Sequence, residues 1–182
     1  MTNLIEKLQS GERLDADECA VLYDLDLFTL GKFANAKRRK LHGKKVFFNV
    51  NRHINPTNIC ADVCKFCAFS ANRKNPNPYT MSHDEILKIV EKSVAGGAKE
   101  IHIVSAHNPD TSWQWYLEIF KKIKEKYPQI HVKALTAAEV DFLSRKHGLS
   151  YEEVVEKMLE YGVDSMPGGG AEIFDEEVRR KT

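Results

Sequence analysis

Three cysteines fall within eight residues, in Cys60-Ala-Asp-Val-Cys64-Lys-Phe-Cys67. The C-x3-C-x2-C spacing offers three thiolates from one short loop and no fourth. Iron–sulfur clusters are held by cysteine thiolates, usually four of them. A cube anchored at three corners leaves one iron open to another ligand, which points to chemistry rather than electron storage. The alternative is a structural zinc site, which wants four closed protein ligands. The remaining cysteine, Cys19, lies 41 positions upstream, in a helix-like segment opened by Asp15 where a buried, inert thiol is expected. His53 and His83 stand in no zinc-ligand repeat. Disulfides fit poorly, because Met1-Thr-Asn-Leu-Ile-Glu-Lys7 is polar from the start and unlike a secretory leader. A reducing, cytoplasmic setting is expected, with the cysteines serving metal or catalysis.

The elements that must position this loop follow from periodicity and punctuation. Residues 1–43 read as an N-terminal helical segment, broken near Gly11 and ending near Gly43. From Lys44 the pattern alternates between strands and helices. A first strand is expected at about 46–54, followed by the cysteine loop and a Pro/Asn-rich connection. Ser82-His-Asp-Glu85 is a capping box for a helix running to Gly96. A second strand at 100–104, an amphipathic helix at 113–127 and a third strand at 130–135 come next. Ser150-Tyr-Glu-Glu153 caps another helix, and a short fourth strand at 162–166 enters Pro167-Gly-Gly-Gly170. Strands separated by helices give a parallel sheet. The fold class is therefore α/β, a partial TIM-type (βα) barrel over residues 44–182 with about four βα units. A complete eightfold barrel needs roughly 250 residues, so the chain is expected to be the N-terminal half of a longer barrel.

Charge is nearly balanced, with 27 basic and 26 acidic residues, which suggests neither nucleic acid nor a membrane as partner. No apolar run approaches a membrane span. The run Lys37-Arg-Arg-Lys40 ends a helix-like segment, where cations suit the helix dipole. A small-molecule substrate is the expected partner.

Alternation in the first strand puts Asn49, Asn51, His53 and Asn55 on the face opposite Val46, Phe48, Val50 and Ile54. In a βα barrel the outer face packs on helices, so the polar row points inward, toward a substrate. His53 could bind or exchange protons with that substrate, or be a satisfied structural histidine; His107 is a lesser candidate. Reacting groups gather at the carboxyl ends of barrel strands, where the cysteine loop, Ser105, Glu139 and the 168–170 loop fall. Gly168, Gly169 and Gly170 either cradle a carboxylate with backbone N–H groups or form a tight turn. Glu139 and Glu172 either contact a ligand or stabilise a helix start. Trp113, Trp115 and Tyr116 read as packing.

The stretch Asn55-Pro-Thr-Asn-Ile-Cys-Ala-Asp-Val-Cys-Lys-Phe-Cys-Ala-Phe-Ser70 resembles the cluster loop of the radical S-adenosylmethionine (SAM) enzymes. The resemblance implies a [4Fe–4S] cluster on Cys60, Cys64 and Cys67, whose open iron is chelated by the amino and carboxylate groups of SAM. The backbone around Phe66 and Ala68 would then meet the adenine. Lys133-Ala-Leu-Thr-Ala-Ala-Glu-Val140 and Asp164-Ser-Met-Pro-Gly-Gly-Gly-Ala-Glu-Ile-Phe174 resemble a subgroup that contains the futalosine-pathway menaquinone enzymes and the deazaflavin synthases. Within it the chain looks most like the aminofutalosine synthase family, with the dehypoxanthine futalosine cyclases as the near alternative and a non-catalytic cluster or metal module as the second. The resemblance implies that a one-electron reductant drives SAM cleavage. The adenosyl radical would then add to 3-[(1-carboxyvinyl)oxy]benzoate, SAM being consumed as co-substrate in menaquinone biosynthesis. It further implies a ribose contact for Glu139, with the same choice for Glu172, and a substrate with two carboxylates, which suits the glycine loop and the polar row that holds His53 and Asn55. The family's usual Gly-Gly-Glu-like turn is replaced here by Val104-Ser-Ala-His-Asn108, so that the methionine amino group would be met by backbone or by Ser105.

Overall fold

The computed structural model describes residues 2–62, 64–71, 77–169 and 172–181. Gly170 of the expected glycine loop and residues 72–76 of the Pro/Asn-rich connection lie outside them. The chain divides into two compact units, Met1–Phe48 and Asn49–Thr182.

The first unit is helical. Helix α1 spans Thr2–Ser10, α2 spans Ala16–Val21 with a 3-10 turn at Leu22–Asp24, and α3 spans Leu27–His42. Asp15 opens α2 through a reciprocal capping box with Glu18, and the Asp26 carboxylate accepts the Thr29 N–H at the start of α3. Such caps satisfy backbone donors that a helix start leaves unpaired. The basic run is used at the other end of α3, where Arg38 donates to the carbonyls of Gly43 and Lys45, at 3.3 Å each. Cys19 corrects the sequence reading, for it is exposed. Helix α2 has six residues and none is buried, so it offers no core to hold a thiol.

The second unit is built around a parallel sheet in the order β1-β2-β3. Its elements are β1 (Asn51–Ile54), α4 (His83–Ala95), β2 (Glu100–Ile103), α5 (Trp113–Lys126), β3 (His131–Ala134), α6 (Ala137–His147), α7 (Tyr151–Glu160) and α8 (Glu176–Arg179). One face of the sheet presents Ile54, Ile101, Ile103, Val132 and Ala134. These pack with Ile86 and Val90 of α4, Ile119, Phe120 and Ile123 of α5, and Val154 and Met158 of α7 in one buried cluster. Each such side chain contributes about 1.5–3 kcal/mol on burial. The register aligns Asn51, Glu100 and His131 in one row and His53, His102 and Lys133 in the next. Strand alternation sends both rows to the face opposite the helices.

Three boundaries differ from the sequence reading. Strand β1 starts at Asn51 rather than 46, because β2 begins at Glu100 and its predecessor Lys99 donates back to the Val50 carbonyl; among the described residues no strand pairs with 46–49. Val46, Phe47 and Phe48 are exposed there. The expected fourth strand is a single bridge between Lys133 and Ser165. The Asp164 carboxylate accepts the Val132 N–H at 2.7 Å and thereby takes the donor that a longer ladder would use. Finally, Thr136-Ala-Ala-Glu139 opens helix α6 through a capping box, an element the sequence reading did not assign, although a helix start was one of its two alternatives for Glu139.

Candidate active site

The chain leaves β1 at Ile54 and enters the cysteine loop through Thr57, which is fully buried. The Thr57 hydroxyl donates to the Tyr79 carbonyl at 2.8 Å and accepts from the Asn108 amide at 3.0 Å. The loop is closed at its base by Cys60 N–H to Ala71 O (3.2 Å) and Ala71 N–H to Asn58 O (2.7 Å). Within it the Cys67 N–H turns back to the Cys64 carbonyl at 3.1 Å. Cys60 is half-buried, and Cys64 and Cys67 are exposed. Partial burial would push the Cys67 thiol up, but the N–H groups of Phe69 and Ser70 and the Ser70 hydroxyl outweigh it and hold the thiol below its ordinary value. Phe66 and Ala68 are exposed beside these sulfurs, and Phe69 meets Tyr79 edge-on with centroids 6.5 Å apart.

This donor set fits an iron–sulfur cluster. Three thiols share one loop, two of them are open to solvent, and one is stabilised as thiolate by N–H donors. Amide N–H groups near cluster sulfurs are a recognised means of tuning such centres.

The loop after β2 lies against it. The Ala61 N–H donates to the His107 carbonyl at 2.9 Å, and the His107 ring Nδ1 donates to Asp62 Oδ2. His107, the lesser candidate from sequence, is thus drawn to the cysteine loop. Cys60, Asp62 and His107 each bring one ligand atom to within 4.8 Å of the others. Ser105 is buried; its N–H donates to Glu139 Oε1 at 2.6 Å, and its hydroxyl lies 3.0 Å from that of Tyr116. Burial pushes the Tyr116 phenol up to about 12.

Glu139 joins two strand ends. Its Oε1 takes the Ser105 N–H beyond β2 and its Oε2 takes the Thr136 N–H beyond β3 at 2.7 Å. Burial pushes its carboxyl up to about 7, against the lowering effect of these donors. Just before the cap, Leu135 adopts the left-handed φ of 57°, which costs about 1–2 kcal/mol for a non-glycine residue. Gly169 has φ +135° and approaches the same cap so closely that an added Cβ would lie 3.1 Å from Thr136 Cγ2. Gly168 and Glu172 are exposed, and Glu172 has φ 53°.

His53 stands on the polar sheet face, with its ring stacked on His102 at a centroid distance of 4.7 Å. Asn55, two residues further, is half-buried and gives its carbonyl to the Tyr79 hydroxyl at 3.2 Å. Sequence reasoning did not single out His102 or Lys133, although the alternation in Glu100-Ile-His-Ile103 carries the signal. Lys133 pairs with Glu100 at 3.2 Å. Burial alone would raise the Glu100 carboxyl, and the hydrogen bonds from Lys133 and Asn51 hold it below its ordinary value. Burial first, then the neighbouring His53 and Lys133, lowers the His102 pKa, and among the described residues no partner reaches its buried Nε2.

The chain is 40% identical over 179 residues to aminodeoxyfutalosine synthase of Thermus thermophilus, covering 98% of this chain and 48% of that one. It is 35% identical to a 5-amino-6-(D-ribitylamino)uracil–L-tyrosine 4-hydroxyphenyl transferase of Microcystis aeruginosa, covering 99% of this chain and 50% of that one. A cyclic dehypoxanthine futalosine synthase of Halalkalibacterium halodurans is also 35% identical, over 97% of this chain and 48% of its own. The chain thus spans about half the length of the curated relatives it matches. The crystal structure of methylornithine synthase superposes with a TM-score of 0.61 at 18% identity, covering 91% of this chain and 58% of that one, which is a likeness of fold. Residues 54–182, from the last residue of β1 through the cysteine loop and all that follows, match the profile of the Radical SAM superfamily. With its three-thiolate loop at the carboxyl end of a parallel (βα) sheet, the chain belongs to that superfamily.

Proposed function

We propose that this chain carries the cluster- and SAM-binding part of a radical SAM transferase. The reaction joins the 5′-deoxyadenosyl group of SAM to the vinyl carbon of 3-[(1-carboxyvinyl)oxy]benzoate, with methionine released and one carboxyl group lost after rearrangement, forming aminodeoxyfutalosine for menaquinone. The observation that carries the reading is the 40% identity to an aminodeoxyfutalosine synthase across 98% of the chain, cysteine loop included. Members of the superfamily use a [4Fe–4S] cluster and SAM. When bound, these supply one-electron cleavage of SAM, with the electron drawn from an external reductant.

The chain's own residues have separate tasks in this reading. Cys60, Cys64 and Cys67 hold three corners of the cluster, and the N–H donors around Cys67 favour its thiolate form. The exposed backbone at Phe66 and Ala68 takes the adenine. Ser105, Glu139 and Thr136 fix the strand ends that face it, Gly169 approaches the Thr136 cap, and the glycine loop that also holds Gly168 offers backbone N–H groups to a carboxylate. The row His53, His102 and Lys133 meets the substrate's carboxylates, with Asn55 and Glu172 at its margin. Holding the substrate on a polar wall while water is excluded favours addition over quenching.

The test is anaerobic reconstitution followed by product analysis with SAM, dithionite and each candidate substrate. The expected result is an oxygen-sensitive brown protein that cleaves SAM only when reduced and gives aminodeoxyfutalosine from the enolpyruvyl benzoate. Turnover of dehypoxanthine futalosine instead would favour the cyclase, to which the chain is also related. Metal binding without SAM cleavage would leave a non-catalytic module. SAM cleavage retained in Cys64→Ala would overturn the assignment of the cluster to this loop.

A further inference from the structure

We infer that His107 is the positioning residue of the cysteine loop, clamping the two residues after Cys60 onto the end of β2. The inference rests on the proposed cluster site, since it concerns how that loop is held for metal capture. Two contacts make the clamp. The His107 carbonyl accepts the Ala61 N–H at 2.9 Å, and the His107 Nδ1 donates to the Asp62 carboxylate. Among the described residues these are the polar contacts that join residues 61–69 to another element.

The ring is itself held. It lies flat on Phe142 of α6, with centroids 4.8 Å apart and planes 7° from parallel. On the same Phe142 sits the Lys146 ammonium, 5.7 Å from the ring centroid, and that ammonium donates to the carbonyls of Asn108 and Thr111. The loop after β2 is thereby closed onto α6 beyond His107, and the Ser105 N–H on Glu139 closes it before His107. The His107 side chain is 13% exposed and the Asp62 side chain 45%, so a fixed, mostly buried group holds an open one. Ordering a loop costs conformational entropy, and a loop ordered beforehand pays less of it when metal arrives. Outer partners that orient metal ligands have this effect in other metal sites. Asp62 and His107 lie 45 residues apart in sequence, which is why no local motif marks the pair.

The Cys60, Asp62 and His107 ligand atoms also lie within 4.8 Å of one another, so the same geometry has a rival in a single bound divalent ion. In the clamp, Nδ1 keeps its hydrogen and donates it in a hydrogen bond to Asp62; in the rival, the ring nitrogen that faces the ion carries no hydrogen.

The test compares the parent chain with His107→Ala and with His107→Asn, whose amide nitrogen can stand where Nδ1 stood. Deuterium uptake over residues 59–67 is measured on the metal-free chain, and iron loss to a ferrous chelator after anaerobic reconstitution. The clamp predicts that His107→Ala exchanges faster in this segment alone and loses iron about tenfold faster. His107→Asn should stay near the parent in both. If His107→Ala loses protection throughout α4 and α5, His107→Asn decides: parent-like protection upholds the clamp and an exposed segment overturns it. Unchanged uptake in His107→Ala would overturn it as well, as would stoichiometric zinc on the purified parent that His107→Ala lacks. A parent that assembles no cluster would refute the proposed function, while the uptake comparison would still judge the clamp.

Discussion

Glu139 shows how a single buried acid ties together what the cysteine loop faces. At 4% exposure it has exchanged water for two backbone N–H groups, one beyond each of two neighbouring strands. Burial of a carboxylate favours its neutral form, and donors to its oxygens favour the charged one. Here burial prevails, and the carboxyl is carried from 4.5 to about 7. Because folding raises this pKa, the associated stability is fully present below about 4.5 and is lost as the pH rises through about 7. Its full size is about 3 kcal/mol, at about 1.4 kcal/mol per pH unit. Thermal melts of the metal-free chain should therefore show falling stability across this window, with an inflection near the upper end. In Glu139→Gln the inflection should vanish. The variant should also be less stable than the parent at acidic pH by about 1–3 kcal/mol, because the amide NH2 must face a backbone N–H. A Glu139→Gln profile that kept the inflection would assign the titration to another group.

At the scale of elements, what could be read from sequence and what could not have separate physical causes. Helix starts were legible because a cap is local: Asp15 with Glu18, Ser82 with Glu85 and Ser150 with Glu153 all form the reciprocal boxes their spacing implies. The three-cysteine spacing was legible for the same reason. Strand ends were not, since the reach of β1 depends on where β2 begins, nearly fifty residues later. The fourth strand failed on one side chain, Asp164, which competes for a ladder donor. Helix α6 went unassigned although its cap is local, and Thr136-Ala-Ala-Glu139 serves two purposes at once, cap and strand tie. This cap also makes the two described glycines of the loop unequal. Gly169 has φ +135° with Thr136 Cγ2 only 3.1 Å from a would-be Cβ, whereas Gly168 has nothing within 4 Å. Gly169→Ala should therefore destabilise the chain by about 1–2 kcal/mol, and Gly168→Ala should leave the melting temperature unchanged. Equal melting temperatures for the two variants would show that the loop does not approach the cap as described.

At the scale of the whole molecule, the sheet of the second unit has two faces with opposite roles. The apolar face is covered by α4, α5 and α7 in a continuous core, which fixes the strands rigidly. The polar face carries His53 and His102 with their rings stacked across adjacent strands, with Lys133 next in register. Polar side chains held by a rigid sheet make a better binding wall than the same groups on loops. Among the described residues of this face the permanent cation is Lys133, whose ammonium is partly engaged by Glu100 at 3.2 Å and retains donors for an anion. A substrate with two carboxylates should therefore depend on it. Lys133→Met should raise KM for the enolpyruvyl benzoate about tenfold to hundredfold, the loss expected for a charge-assisted hydrogen bond. Cluster content and SAM cleavage without substrate should be unaffected, because the cysteine loop is held by Thr57, Ala71 and His107 and not by β3. Lys133→Arg should recover most of the affinity, since it restores the charge. A Lys133→Met variant that lost its cluster would instead place Lys133 in the framework of the site, and one with unchanged KM would move the carboxylate contacts away from this face.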